Sequence, residues 1–229
     1  ETPIKFLNQI QKGGYRLNSF TVNVAEQLCE RGISVGKFIP IVEIPLPPKP
    51  VDIADNKEAR KGYRRGAAEV MNKNANAFRR SCRTRMTMEA VRRFKGKEFF
   101  IPWSFDYRGR AYPIPAFLTP QDTDFGKALI RFSNESPITP KAKEWLAFQC
   151  ATTYGLDKAT WDERQAWTKK NEHFIECVAT DPIKYLPTWE VAEEPWQYLA
   201  ACEEYYACVI SQSRRKTSLP VATDATCSG

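Results

Sequence analysis

The 229 residues are 42% hydrophobic and carry a net charge of +7. That apolar content is enough for a packed core and excludes a wholly disordered chain, and no apolar run reaches the ~18 residues of a membrane-spanning helix. Seven cysteines with no Cys-x-x-Cys pair, and one histidine, exclude a zinc site of usual spacing and suit a reducing compartment. That histidine, His173, lies in a polar run, Lys169-Lys170-Asn171-Glu172-His173, and reads as part of a solvated helix face rather than a catalytic pair.

The charge is unevenly placed. Between Lys57 and Lys97 there are fourteen Lys or Arg against three Glu, a local net of +11, which leaves −4 on the rest of the chain. So concentrated a positive segment predicts a polyanionic partner.

In chain order, the start Glu1-Thr2-Pro3-Ile4-Lys5 has neither an initiator Met nor a charged-then-apolar leader, and reads as an internal segment or a processed end. Residues 3–31 read as helix with one interruption at Gly13-Gly14. Phe6, Leu7 and Ile10 form a first stripe; a second run, capped by Asn18 or Ser19, buries Val22, Val24 or Ala25, and Leu28 before Gly32 ends it. Pro40, Pro45, Pro47, Pro48 and Pro50 make the next stretch an extended, polyproline-like connector and the first domain boundary.

Residues 52–96 predict two antiparallel helices broken between Asn72 and Asn76, projecting as an arm. Tyr63, Ala67, Val70, Met71 and Asn74 share one face of the first, with Lys57, Lys61 and Arg65 on another. Cys82, Met86, Ala90 and Phe94 make the apolar stripe of the second, among Arg79, Arg80, Arg83, Arg92 and Arg93. Residues 98–115 then turn aromatic, and around Gly109 aromatic and basic residues interleave: Tyr107, Arg108, Arg110 and Tyr112. Guanidinium groups suit phosphates and base edges, and aromatic faces suit stacked bases, with Asp106 placed to fix Arg108 or Arg110.

Residues 116–215 read as mainly helical. Pro140 and Gly155 bracket one helix; residues 157–178 form another, with Trp161, Trp167, Phe174 and Val178 as core; a third runs from about Pro195 to Ser213. Glu203-Glu204 reads as a helix surface with one Glu buried against an Arg. The closing run Ser218-Leu219-Pro220-Val221-Ala222-Thr223-Asp224 has strand character and delivers one carboxylate, Asp224, to a stretch of small residues. Such a group suits a hard divalent cation and two-metal phosphoryl transfer, which needs a second acid elsewhere.

Asp106-Tyr107-Arg108-Gly109-Arg110-Ala111-Tyr112 and Ser218-Leu219-Pro220 through Asp224 to Cys227-Ser228-Gly229 together resemble the single-subunit RNA polymerases of bacteriophages and mitochondria, relatives of the A-type DNA polymerases. Tyr15-Arg16-Leu17-Asn18, Phe117-Leu118-Thr119-Pro120-Gln121 and Tyr198-Leu199-Ala200-Ala201-Cys202-Glu203-Glu204-Tyr205 add weaker support.

The resemblance implies a mainly α fold with a small β component (α+β): an N-terminal helical segment and Pro-rich connector over 1–51, a right-hand polymerase thumb over 52–97 and the first part of the palm over 98–229. It implies Mg²⁺ at Asp224 and the backbone carbonyl of Ala225, where the family usually has Gly. It implies template and hybrid contacts by Tyr107, Arg108, Arg110 and Tyr112, and duplex contacts by Arg79, Arg80 and Arg83. DNA template, RNA transcript and nucleoside triphosphates are the implied partners. The family's second metal-binding acid and its fingers are absent from these 229 residues, so a split enzyme completed by a second polypeptide is expected. The implied location is the cytoplasm of an infected bacterial host, with the mitochondrion second. A non-catalytic nucleic-acid-binding module, or part of an A-type DNA polymerase, is the alternative.

Overall fold

The computed structural model describes residues 2–223. The fold is mainly helical with three small antiparallel sheets, as the α+β expectation has it. In order come α1 (Thr2–Ile10), β1 (Gly14–Leu17), α2 (Ser19–Arg31), α3 (Lys57–Arg80), α4 (Cys82–Phe94), β2 (Phe99–Phe100), β3 (Trp103–Phe105) and β4 (Ala111–Pro113). Then follow α5 (Asp124–Ala128), β5 (Ile130–Phe132), β6 (Ser136–Pro137), α6 (Pro140–Tyr154), α7 (Trp161–Lys170), α8 (Glu172–Thr180), α9 (Leu186–Trp189) and α10 (Pro195–Tyr205). A π-helical turn over Tyr206–Ile210 leads into β7 (Lys216–Thr217).

The core is organised around α10. Trp196, Tyr198, Leu199, Ala200, Ala201 and Cys202 are all buried, so this helix is enclosed around most of its circumference, as a run of consecutive apolar residues requires. It packs on α6 through Leu146, Ala147 and Cys150, on α8 through Ile175 and Val178, on α5 through Phe125, and on α2. Its N-terminus is capped by Asp124 of α5, whose carboxylate accepts from the Trp196 and Gln197 amides at 2.8 and 3.0 Å; burial nevertheless pushes this carboxyl up to about 6.

Several expectations need correction. The interruption at Gly13-Gly14 is not a helix break but the start of β1, the central strand of the sheet β2-β1-β5. At Gly14 a Cβ would crowd the ends of the Glu98 and Ser133 side chains, which would have to move aside. The region 157–178 is two helices broken at Asn171, and Ile175 points inward while Phe174 is exposed. The stretch 218–223 is not a regular strand; only Lys216–Thr217 pair as one, with β6. By contrast, Asn18 caps α2 as expected, Val22, Val24, Ala25 and Leu28 are all buried, and Gly32 ends the helix at φ +66°.

The basic segment differs most. α3 runs unbroken through Asn72–Asn76, and the only interruption is Ser81, itself right-handed helical at φ −82°, ψ −5°. Ser81 donates its amide to Ala77 O and accepts from the Arg85 amide, so the ladder passes through it. α3 and α4 therefore run end to end and form no antiparallel pair.

The Pro-rich segment shows the same thing independently. It is not a free linker but a strap lying antiparallel along the whole arm. Ile39 N donates to Thr84 Oγ1; the Asn74 amide bonds both N and O of Ile44; Pro47 lies 3.7 Å from where a Gly66 Cβ would be; and Arg60 donates to the Ile53 and Ala54 carbonyls. From Ile39 to Pro50 an extended chain at ~3.1 Å per residue covers about 34 Å before the turns over 51–55, and from Thr84 back to Arg60 a helix at ~1.5 Å per residue covers about 36 Å. Strap and helix keep pace past Ser81, which a reversal there would prevent.

Candidate nucleic-acid interface

α3 buries no residue. Its half-buried positions, Ala59, Arg60, Tyr63, Gly66, Ala67, Val70, Asn74 and Ala77, recur at helical spacing and face the strap, while Met71 of the expected stripe is exposed. At 3.6 residues per turn, Lys57, Lys61, Arg64, Arg65 and Arg79 fall on the side opposite the strap. These five, and Arg80, are without a side-chain partner among the described residues, whereas Lys73 pairs with Glu69 at 2.8 Å. One side of the arm is thus an uncompensated cationic ridge.

On α4 the expected stripe is displaced. Cys82, Met86 and Phe94 are exposed, and Thr84, Thr87, Met88 and Val91 are buried instead. Two of these are threonines whose hydroxyls are satisfied internally, Thr84 by Ile39 N and Thr87 by Arg83 O. Arg83 does more than face solvent. Its guanidinium pairs with the fully buried Asp122 carboxylate, donates to Ala116 O at 3.2 Å and sits over the Phe117 ring. Asp122 in turn accepts from the Leu118 and Thr123 amides, and a Cβ on Gly126 would lie 2.2 Å from its carboxyl carbon, so the arm is bolted to the loop 114–123 at this point.

That loop follows the β3–β4 hairpin, whose register is Trp103↔Pro113, Ser104↔Tyr112 and Phe105↔Ala111. Its tip is built by Asp106. The Asp106 amide donates to Arg110 O, and Gly109, at φ +79°, donates to Asp106 O. One carboxylate oxygen accepts from the Arg108 and Arg110 amides, both at 2.9 Å, and the other from Arg108 Nε at 3.2 Å. Asp106 therefore orients the Arg108 side chain and holds Arg110 only by its backbone. These hydrogen bonds, that from the Arg110 amide foremost, hold the Asp106 carboxyl below the usual carboxylate range. Tyr107 is 94% exposed with Arg108 over its ring, and Arg110 and Tyr112 are exposed beside them. Two guanidinium groups and two aromatic rings on a rigid tip make a surface that phosphates and stacked bases both fit.

A third element was not signalled as a unit. Glu204 of α10 is fully buried; its Oε2 accepts from Arg131 of β5 and from Arg214, and its Oε1 from Thr217 of β7. The expectation of one Glu buried against an Arg at Glu203-Glu204 agrees with this, but Arg131 carried no motif. Asp224 and Ala225 lie outside the described residues. Among the described residues no group of three His, Cys, Asp or Glu is placed to hold a metal, His173 is exposed, the cysteines are free, and no helix is long and apolar enough to cross a membrane.

A family model described as DNA-dependent RNA polymerase matches residues 136–229. The chain is 30% identical to the mitochondrial DNA-directed RNA polymerase of Neurospora crassa over 98% of its own length and 16% of that protein's. It is 30% identical to the DNA-directed RNA polymerase of Enterobacteria phage T3, again over 98% of itself and 26% of the relative. With the mitochondrial enzyme of Schizosaccharomyces pombe it shares 29% identity over 98% of itself and 20% of the relative. The chain thus spans about a sixth to a quarter of the length of these relatives. By sequence it is similar to one stretch of the DNA-directed RNA polymerases of phages and mitochondria.

Proposed function

We propose that this chain supplies the thumb and the first part of the palm of a DNA-directed RNA polymerase, with the second metal-binding acid and the nucleotide-binding fingers coming from outside these 229 residues. The observation that carries the reading is similarity to phage and mitochondrial RNA polymerases along 98% of the chain. The geometry supports it: a cationic arm and an Arg/Tyr hairpin tip belong to one bolted unit, joined through Arg83 and Asp122.

In this reading Lys57, Lys61, Arg64, Arg65, Arg79 and Arg80 hold the phosphates of a template duplex, and Tyr107, Arg108, Arg110 and Tyr112 grip template and hybrid. Arg83 acts mainly by fixing arm to hairpin. Asp224 and the Ala225 carbonyl offer a carboxylate and a peptide oxygen, hard donors of the kind Mg²⁺ takes. When bound, the ion supplies charge stabilisation for nucleotidyl transfer. The substrates are nucleoside triphosphates paired to a DNA template, and the strap keeps the arm straight while it lies along the duplex.

The experiment is nucleotide incorporation on a primed DNA template, with this chain combined with the missing acid and fingers. Incorporation is expected, and Asp224→Ala is expected to abolish it while template binding persists. A variant that incorporates nucleotides like the parent would leave only a nucleic-acid-binding module.

A further inference from the structure

Residues 211–219, which precede Asp224 in the chain, are held at nearly every position. After the π-helical turn, Ser211 N donates to Tyr206 O at 2.8 Å and Gln212 takes φ +53°, so the chain doubles back; Arg214 N donates to Ala207 O at 3.0 Å. Arg214 then lies on Glu203 and Glu204, with Nη2 2.7 Å from Glu203 Oε1. Arg215 O accepts from Ile138 N, Lys216 and Thr217 pair with Pro137 and Ser136, and Ser218 O accepts from Phe132 N. Arg131 closes the set, giving Nε to Ser218 Oγ at 3.2 Å and its far nitrogen to Glu204. Three separate elements, α10, β5 and the incoming segment, therefore meet on one carboxylate with no solvent exposure.

A buried carboxylate between two guanidinium groups is a poor source of net stability, because desolvation offsets the attraction; its attested use is to fix register. π-helical turns likewise recur at functional sites. Every bond that Glu204 accepts comes from Arg131, Arg214, Thr217 or Cys208, and three of those four residues flank or form the segment that runs on toward Asp224. The strand ladder itself is only two residues long, too short to set the direction of the chain unaided.

We infer that Glu204 is a positioning residue for catalysis: through Arg131, Arg214 and Thr217 it fixes the segment 214–219, and so the approach of the chain to Asp224. The inference rests on the polymerase reading above and adds to it a residue that touches neither substrate nor metal.

The test compares Glu204→Gln and Thr217→Val with the parent in the assembled polymerase. Gln presents an amide N–H₂ toward a guanidinium, which breaks the junction at constant volume; Thr217→Val removes only the hydroxyl that donates to Glu204 and accepts from the Leu219 amide, and guards against a variant that fails to fold. For Glu204→Gln, kcat for incorporation is expected to fall ~10- to 100-fold, the usual cost of losing an outer-shell partner, with nucleotide KM and template Kd within about two-fold. Thr217→Val is expected to fall less, in the same pattern. Mn²⁺ bound at the Asp224 site, counted by electron paramagnetic resonance as the fraction lost in Asp224→Ala, is expected to weaken in parallel. An unchanged kcat and Mn²⁺ affinity in both variants, whatever happens to their melting temperatures, would overturn the inference and leave Glu204 a structural residue. A parent with no incorporation would sink the polymerase reading instead, so the two failures are distinct.

Discussion

The arm and the body of this molecule are held by opposite means. α10 is packed by other helices through most of its length, and its order follows from burial: Leu199, Ala201 and Cys202 have no exposed surface. α3, at 24 residues the longest helix described, buries nothing. It persists on good helix formers, an Asn56 cap on the Glu58 and Ala59 amides, and a strap that bonds to it at Asn74 and Arg60. A helix needed as a charged ridge cannot be wrapped by helices on both sides. An extended chain covers one narrow face and leaves the opposite one to a partner, and the prolines suit it to this because they need no backbone donors of their own.

The contrast can be broken at its strong end first. Leu199→Ala should cost ~2–5 kcal/mol and lower the urea midpoint of the whole cooperative unit. A loss below about 1 kcal/mol would mean that α10 is not what the body is built on. On the arm, Arg79→Gln with Arg80→Gln should leave folding intact and flatten the dependence of log K for template binding on log salt by up to ~2, about 0.9 for each phosphate contact removed. An unaltered slope would take this end of the ridge out of the interface. Arg83 is a poor choice for that experiment, since its neutralisation leaves Asp122 buried and unpaired. The smallest effect is expected at Asn74→Ala. Losing two hydrogen bonds to Ile44 should cost ~1 kcal/mol locally, seen as faster amide exchange at Ile44 and along α3 with the global midpoint unmoved. Unchanged exchange would mean that the strap is not what steadies the helix.

How far the fold was legible in the sequence follows the same divide. Local chemistry could be read where it decides the outcome: Pro140 and Gly155 bracket α6, Asn18 and Gly32 bracket α2, and α10 runs from Pro195 as expected, though it gives way to a π-helical turn at Tyr206 and ends before Ser213. Non-local partners could not be read. β1 is four residues long and exists because Phe99–Phe100 and Ile130–Phe132 flank it. Asn72 and Asn76 looked like a break, yet Asn74 between them is spent on the strap, and nothing near it in sequence indicates Ile44. Thr84 and Thr87 are buried despite their polar side chains, because their hydroxyls are satisfied inside.

At the site, the Asp106 turn was visible because its partners lie within four residues. Arg83 with Asp122, and Arg131 with Glu204, were invisible as pairs because 39 and 73 positions separate them. The fourteen cations of the basic segment were plain in the sequence; that five share the side away from the strap needed the helix to run unbroken past Asn74.

The central claim is that Asp224 is a working carboxylate of a polymerase. The most direct measurement is templated nucleotide incorporation by the assembled enzyme with Asp224 and with Asp224→Ala, alongside template affinity for both. Incorporation lost by at least ~10³-fold at unchanged template Kd, the scale of losing a group that acts only in the transition state, is the predicted result. Equal incorporation by the two proteins would contradict it.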